Sequence, residues 1–107
     1  MSGELQVFRT TLTPTVRGAI SKLRRWFYAS LHSKIKGDAR EISKGNWTKL
    51  AQMLVEKSSE KGVSDKAGRV ILYYYLRDGV FTPVRAEIEI FEIKPLGKID
   101  ITFASET

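Results

Sequence analysis

Cysteine is absent from this 107-residue chain, and histidine occurs once, at His32. Without Cys there is no disulfide scaffold, no thiolate zinc site and no thiol nucleophile. A single His excludes a multi-histidine metal site and leaves little room for a Ser-His-Asp triad. Side-chain amides are scarce, with Gln6, Asn46 and Gln52 the only three. Together with two Met and no Cys, this matches the avoidance of heat-labile side chains in thermophile proteins. No apolar run approaches the ~20 residues needed to span a bilayer. The opening MSGELQVFRT carries an early acid and lacks a signal-type apolar stretch. Neither G-x-G-x-x-G nor a P-loop spacing occurs, so no cofactor is expected. These absences lead to the expectation of a soluble, cytoplasmic protein that is not an enzyme.

What is present points to one folded domain. The chain is 42% hydrophobic, enough for a core, and its length accommodates a single one. The domain is expected to occupy residues 1–107, with its core over about 5–103 and a loose tail at Ser105–Thr107. The net charge is +6 and unevenly placed. Residues 1–49 hold ten Lys or Arg and three acids, whereas residues 50–107 hold eight and nine. A basic first half suggests an anionic partner, most often nucleic acid.

Hydrophobic patterning predicts the elements. Residues 5–12 read as a strand. Thr13-Pro14 opens a helix over about 14–36, with Val16, Ile20, Leu23, Phe27, Leu31 and Ile35 on one stripe. Gly37 stops it. Asp38 caps a second helix that ends near Lys61-Gly62, with a kink or break expected at Gly45. Its apolar face comprises Ile42, Trp47, Leu50, Met53 and Leu54. Strands follow at 69–77, 81–93 and 98–104, separated by Asp78-Gly79 and by Lys94–Gly97. The expected class is α+β in the order β-α-α-β-β-β, with two amphipathic helices on one face of an antiparallel meander.

Two strand registers are open. A plain two-residue turn puts Ile71, Tyr73 and Tyr75 on the core face. An extra residue near Pro83 reverses this, so that Val70, Leu72, Tyr74 and Leu76 face the core. The second register is favoured because Arg69 and Arg77 then lie on the exposed face.

Catalytic and metal constellations find little support. His32 lies beside Ser30 and Ser33 without acidic partners. Glu87, Glu89 and Glu92 read as a solvent-facing strand side. The stronger feature is Lys22 to Tyr28, where Lys22, Arg24 and Arg25 mix with Trp26, Phe27 and Tyr28. Such a helix offers charge to phosphates and rings to bases, with Arg17, Arg24 and Tyr28 on one flank, Lys22 and Trp26 towards the other and Arg25 opposite the core. An ordinary amphipathic helix with Trp26 at the core margin is the alternative. Tyr73-Tyr74-Tyr75, bracketed by Arg69 and Arg77, suggests either a stacking platform or a face buried by a second subunit. Trp47, near Lys44 and Lys49, reads as core or as a stacking residue.

These features resemble the ThermoDBP-related proteins, small single-stranded nucleic-acid binders of hyperthermophilic archaea. The likeness rests on Lys22 to Ala29 with Leu31, on Asn46, Leu50 and Leu54, and on the meander of residues 69–103. It covers about residues 5–103. The resemblance implies an α+β domain that is not an OB-fold. It also implies homodimers or larger homo-oligomers, with single-stranded DNA or RNA held in basic clefts that shelter the bases.

The leading expectation is therefore non-enzymatic, largely sequence-independent binding of single-stranded DNA, or of single-stranded RNA, in a basic, aromatic-lined cleft. Arg17, Lys22, Arg24, Arg25, Lys44 and Arg69 are the expected phosphate contacts. Trp26, Tyr28, Trp47, Tyr73 and Tyr75 are the expected stacking residues. The alternatives are an architectural protein of duplex DNA and a homo-oligomeric interaction module.

Overall fold

The computed structural model of the chain describes residues 4–104. Its elements are β1 (Gln6–Arg9), α1 (Val16–Trp26), α2 (Asp38–Glu60), β2 (Ala67–Arg77) and β3 (Val80–Phe91). The class is α+β. Two helices cover one face of an open, three-stranded antiparallel sheet in the order β1-β2-β3. No helix is long and apolar enough to cross a membrane among the described residues.

Thr15 caps α1, its hydroxyl accepting the Gly18 amide proton at 3.0 Å. The next two orphan amides are met across the fold. Val16 N–H donates to the Lys66 carbonyl at 2.7 Å and Arg17 N–H to that of Ser64 at 3.1 Å.

The single helix expected over 14–36 is interrupted. After Trp26 the chain forms a π-helical turn, Phe27–Leu31, and then a 3-10 turn, His32–Lys34. The stripe explains this. Leu23, Phe27, Leu31 and Ile35 recur every four residues, and in a straight α-helix each such step drifts by ~40°. A wider turn opposes that drift, and Leu23, Phe27 and Ile35 all remain buried. Gly37, at φ +66°, turns the chain into α2. No break occurs at Gly45, which lies on the exposed side of a continuous helix. The apolar face of α2 also differs from expectation. Ser43, Trp47, Leu54 and Ser58 are buried, while Ile42 and Met53 are exposed.

The core lies between the helices and the inner sheet face. Ala19, Leu23 and Phe27 meet Trp47 and Leu54 from α2 and Val70, Leu72, Tyr74 and Phe81 from the sheet. Thr10 and Thr13, both buried, stitch the chain after β1 to β2. The Val70 amide donates to Thr10 Oγ1 at 2.9 Å, and Thr13 Oγ1 donates to the Gly68 carbonyl at 2.9 Å.

The hairpin turn has both central residues at positive φ, Asp78 at 53° and Gly79 at 76°, as a primed turn requires. Arg77 pairs with Val80, and pairing proceeds regularly to Tyr74 opposite Pro83. The next pair is Tyr73 with Arg85, so Val84 is an extra residue. This bulge selects the register that places Val70, Leu72 and Tyr74 inward and Arg69, Tyr73, Tyr75 and Arg77 outward.

The strand expected at 98–104 does not join the sheet. No turn forms at Lys94–Gly97, so the chain runs on past Phe91 instead of reversing along β3. Residues 92–104 are exposed and unpaired. They contribute to principal extents of 70 × 31 × 21 Å and a radius of gyration of 18.5 Å, against about 13 Å for a compact chain of this length. The tail expected at Ser105–Thr107 lies outside the described residues.

Candidate nucleic-acid interface

Alternation along the strands gives the sheet a polar outer face. On β2 it presents Arg69, Ile71, Tyr73, Tyr75 and Arg77; β1 adds Val7 and Arg9, and β3 adds Arg85, Glu87 and Glu89. Arginines lie over the rings. The Arg77 guanidinium is 4.2 Å from the Tyr75 ring centroid, and that of Arg85 is 5.6 Å from Tyr73. Ile71, with Arg9 and Glu87 as cross-strand neighbours, is only 6% exposed.

Two carboxylates are built into this face. Glu87 accepts from the Tyr73 hydroxyl at 3.0 Å and from Arg85 Nη2 at 2.8 Å. Glu89 pairs with Arg69. The hydrogen bond to Glu87 holds the Tyr73 phenol above its ordinary pKa of 10.0, helped by desolvation and the carboxylate charge. Arg9 and Arg77 form no ion pair among the described residues. Four arginines against two glutamates leave the face positive.

The basic residues of α1 lie on the far side of the sheet, because α1 packs its apolar stripe onto the inner sheet face. Arg24, Arg25 and Tyr28 line one depression there, with Arg24 5.9 Å from the Tyr28 centroid. Arg17 pairs with Asp65 at 2.5 Å, and Lys22 donates to Thr11 Oγ1 at 2.6 Å. Lys44 is exposed on α2.

Both tryptophans serve the interior. Trp47 is 3% exposed and stacks on Phe27 at 5.1 Å. It is a core residue and presents no free face to a base, which corrects its place among the stacking residues. Trp26 is half-buried, stacked on Phe8 at 4.2 Å and edge-on to Tyr74 at 5.4 Å. The aromatic packing that closes the β1 side of the core therefore occupies it. Tyr28 is half-buried, edge-on to Phe27 and His32.

The expected basic, aromatic-lined cleft is thus not assembled from these residues. The sheet brings Arg69, Tyr73 and Tyr75 together and adds Arg9, Arg77 and Arg85. A separate cleft of about 570 Å³ lies between α2 and β3. Its walls are aliphatic, from Leu50, Met53, Val84, Ile88 and Ile90, and its rim carries Lys49, Lys57 and Lys61. Nothing in the sequence marks these three lysines as sharing a rim, because their spacing along α2 resembles any solvated helix face. Among the described residues no three His, Cys, Asp or Glu side chains are grouped to hold a metal ion. Comparison with protein-family models, with curated proteins and with solved structures finds no match for this chain.

Proposed function

We propose that this protein binds single-stranded nucleic acid on the outer face of its sheet, without catalysis and largely without regard to sequence. The observation that supports this most is the pairing of Tyr73 and Tyr75 on that face with Arg9, Arg69, Arg77 and Arg85 around them. Two residues apart on one strand, the rings form a short row on which successive bases can stack. An open sheet leaves that row accessible. The arginines serve as phosphate contacts, and Arg77, already over Tyr75, can hold a base edge or a phosphate beside a stacked base. Glu87 and Glu89 keep Arg85 and Arg69 extended across the face before ligand arrives. The location proposed along with this partner is the cytoplasm.

The test is anisotropy with labelled oligo-dT of about 20 nucleotides, competed by duplex DNA and by single-stranded RNA at several salt concentrations. Four neutralised phosphates give a slope of log K against log[salt] of about −2.8. Neither Trp lies on this face, so Trp emission stays unquenched while Tyr75→Ala weakens binding. A slope near zero, or duplex competing as well as single strand, overturns the reading. Quenching of Trp emission moves the site to the α1 flank.

A further inference from the structure

An unpartnered apolar cleft and an exposed apolar segment follow one another along the chain. The cleft between α2 and β3 exposes Met53, Val84 and Ile90. Past Phe91 the chain continues as an extended arm in which Ile99, Ile101 and Phe103 alternate with Lys98, Asp100 and Thr102. Ile99, Ile101 and Phe103 are 91%, 72% and 99% exposed. Alternation of this kind is the pattern of a half-buried strand, yet among the described residues the arm has no partner strand.

β3 is an edge strand and supplies the missing partner. Its start is closed off by α2, since the Phe81 amide donates to Ser43 Oγ and the Phe81 carbonyl accepts from Asn46. Pro83, which lacks an amide proton, follows at the bulge. From Arg85 to Phe91 the outer edge has no strand beside it among the described residues. That stretch borders the cleft, where Ala86, Ile88 and Ile90 point inward.

We propose that the arm of a second copy of this chain adds antiparallel to the free edge of β3, and that the exchange is reciprocal, giving a two-fold dimer. Ile99, Ile101 and Phe103 then enter the partner's cleft above Leu50 and Met53. Lys98, Asp100 and Thr102 fall on the outer face beside Arg85, Glu87 and Glu89, where both signs of charge are present. Length permits it: thirteen extended residues reach ~43 Å, and the open edge needs only ~23 Å. The hinge favours exchange over a hairpin within one chain, because Lys94–Gly97 forms no turn and the arm leads away from its own β3. Main-chain bonds supply the edge pairing and the alternating side chains supply the fit.

Light scattering and amide hydrogen exchange on the full chain test this, with Ile101→Asp and Phe103→Asp as variants. Both positions are exposed in the single chain, so each variant keeps the helical far-UV circular dichroism and the cooperative melt of a folded domain. The expected result is twice the 12.1 kDa chain mass, protected amides at 98–104, and a dimer dissociation constant raised ~100-fold or more by either buried charge. A monomer with protected arm amides means that the arm folds onto its own β3, which overturns the proposal. A monomer with unprotected arm amides overturns it equally. So does a dimer that both variants leave intact. The outer-face arginines and tyrosines are untouched by these variants, so loss of oligo-dT binding is read separately.

Discussion

The Ser43 hydroxyl accepts the amide proton of Phe81 at 2.9 Å, with both residues fully buried. Asn46, one helical turn on, donates to the Phe81 carbonyl at 2.8 Å. Two polar side chains of α2 therefore take the place of a neighbouring strand at the beginning of β3. This fixes where α2 crosses the sheet. It also sets how far the open edge extends, and with it the cleft beyond.

Ser43→Ala leaves the Phe81 amide buried without an acceptor. A loss of about 1–3 kcal/mol is expected, read as a lower urea midpoint at unchanged slope. A midpoint equal to that of the parent would show that water reaches this amide.

Two glycines have opposite expected responses to alanine. A Cβ on Gly68 would sit 2.7 Å from the Glu89 carbonyl oxygen and 2.7 Å from Val16 Cγ2. Gly68→Ala therefore destabilises by about 1–3 kcal/mol through overpacking. At Gly45 an added Cβ meets nothing within 4 Å, and Gly45→Ala stabilises α2 by about 1 kcal/mol. Thermal melts of the two variants should move in opposite directions.

Tyr73 reports on the outer face through its titration. Its folded pKa is raised above 10.0, chiefly by the hydrogen bond to Glu87. The neutral phenol is thus the favoured form in the fold. Its stabilising contribution is complete below pH 10.0 and is lost as pH rises through the folded value. Glu87→Gln removes the carboxylate charge and should bring the phenolate absorbance transition back towards 10.0. An unmoved transition would place the cause elsewhere.

Binding and stability should separate between the two sides of the molecule. Tyr75→Ala is expected to cost roughly 1–3 kcal/mol of oligo-dT affinity with little change in melting. Trp47→Ala should instead lower stability by about 3–5 kcal/mol, since its ring stacks on Phe27 in the core. Arg25→Ala, on the helix side, should leave both nearly unchanged.

Local chemistry made much of the architecture readable in the sequence. Thr and Pro before an apolar stripe mark the start of α1, Asp78-Gly79 marks the hairpin, and β-branched and aromatic residues mark β2 and β3. Each of these signals acts over a few residues, through backbone preference and side-chain period. The inward placement of Leu72 and Tyr74 was also accessible, because Pro83 cannot sit in a regular ladder and a bulge reverses the strand's facing. The four-residue spacing of Leu23, Phe27, Leu31 and Ile35 already contained the misfit that widens the helix after Trp26.

Other features were decided only when distant segments met. Trp26 and Trp47 look alike in the sequence, each beside basic residues, and Phe8 and Phe27 are what turn them inward. Arg17, Lys22, Arg24 and Arg25 lie close to one another in the chain, yet helix packing separates them from Tyr73 and Tyr75 by the thickness of the sheet. The rim of Lys49, Lys57 and Lys61 exists only because α2 crosses β3 at Ser43 and then leaves a gap. The strand pattern of Ile99, Ile101 and Phe103 is plain in the sequence. Whether it finds an edge depends on chain reversal at Lys94–Gly97, and pattern specifies which side chains seek burial without specifying the surface that buries them.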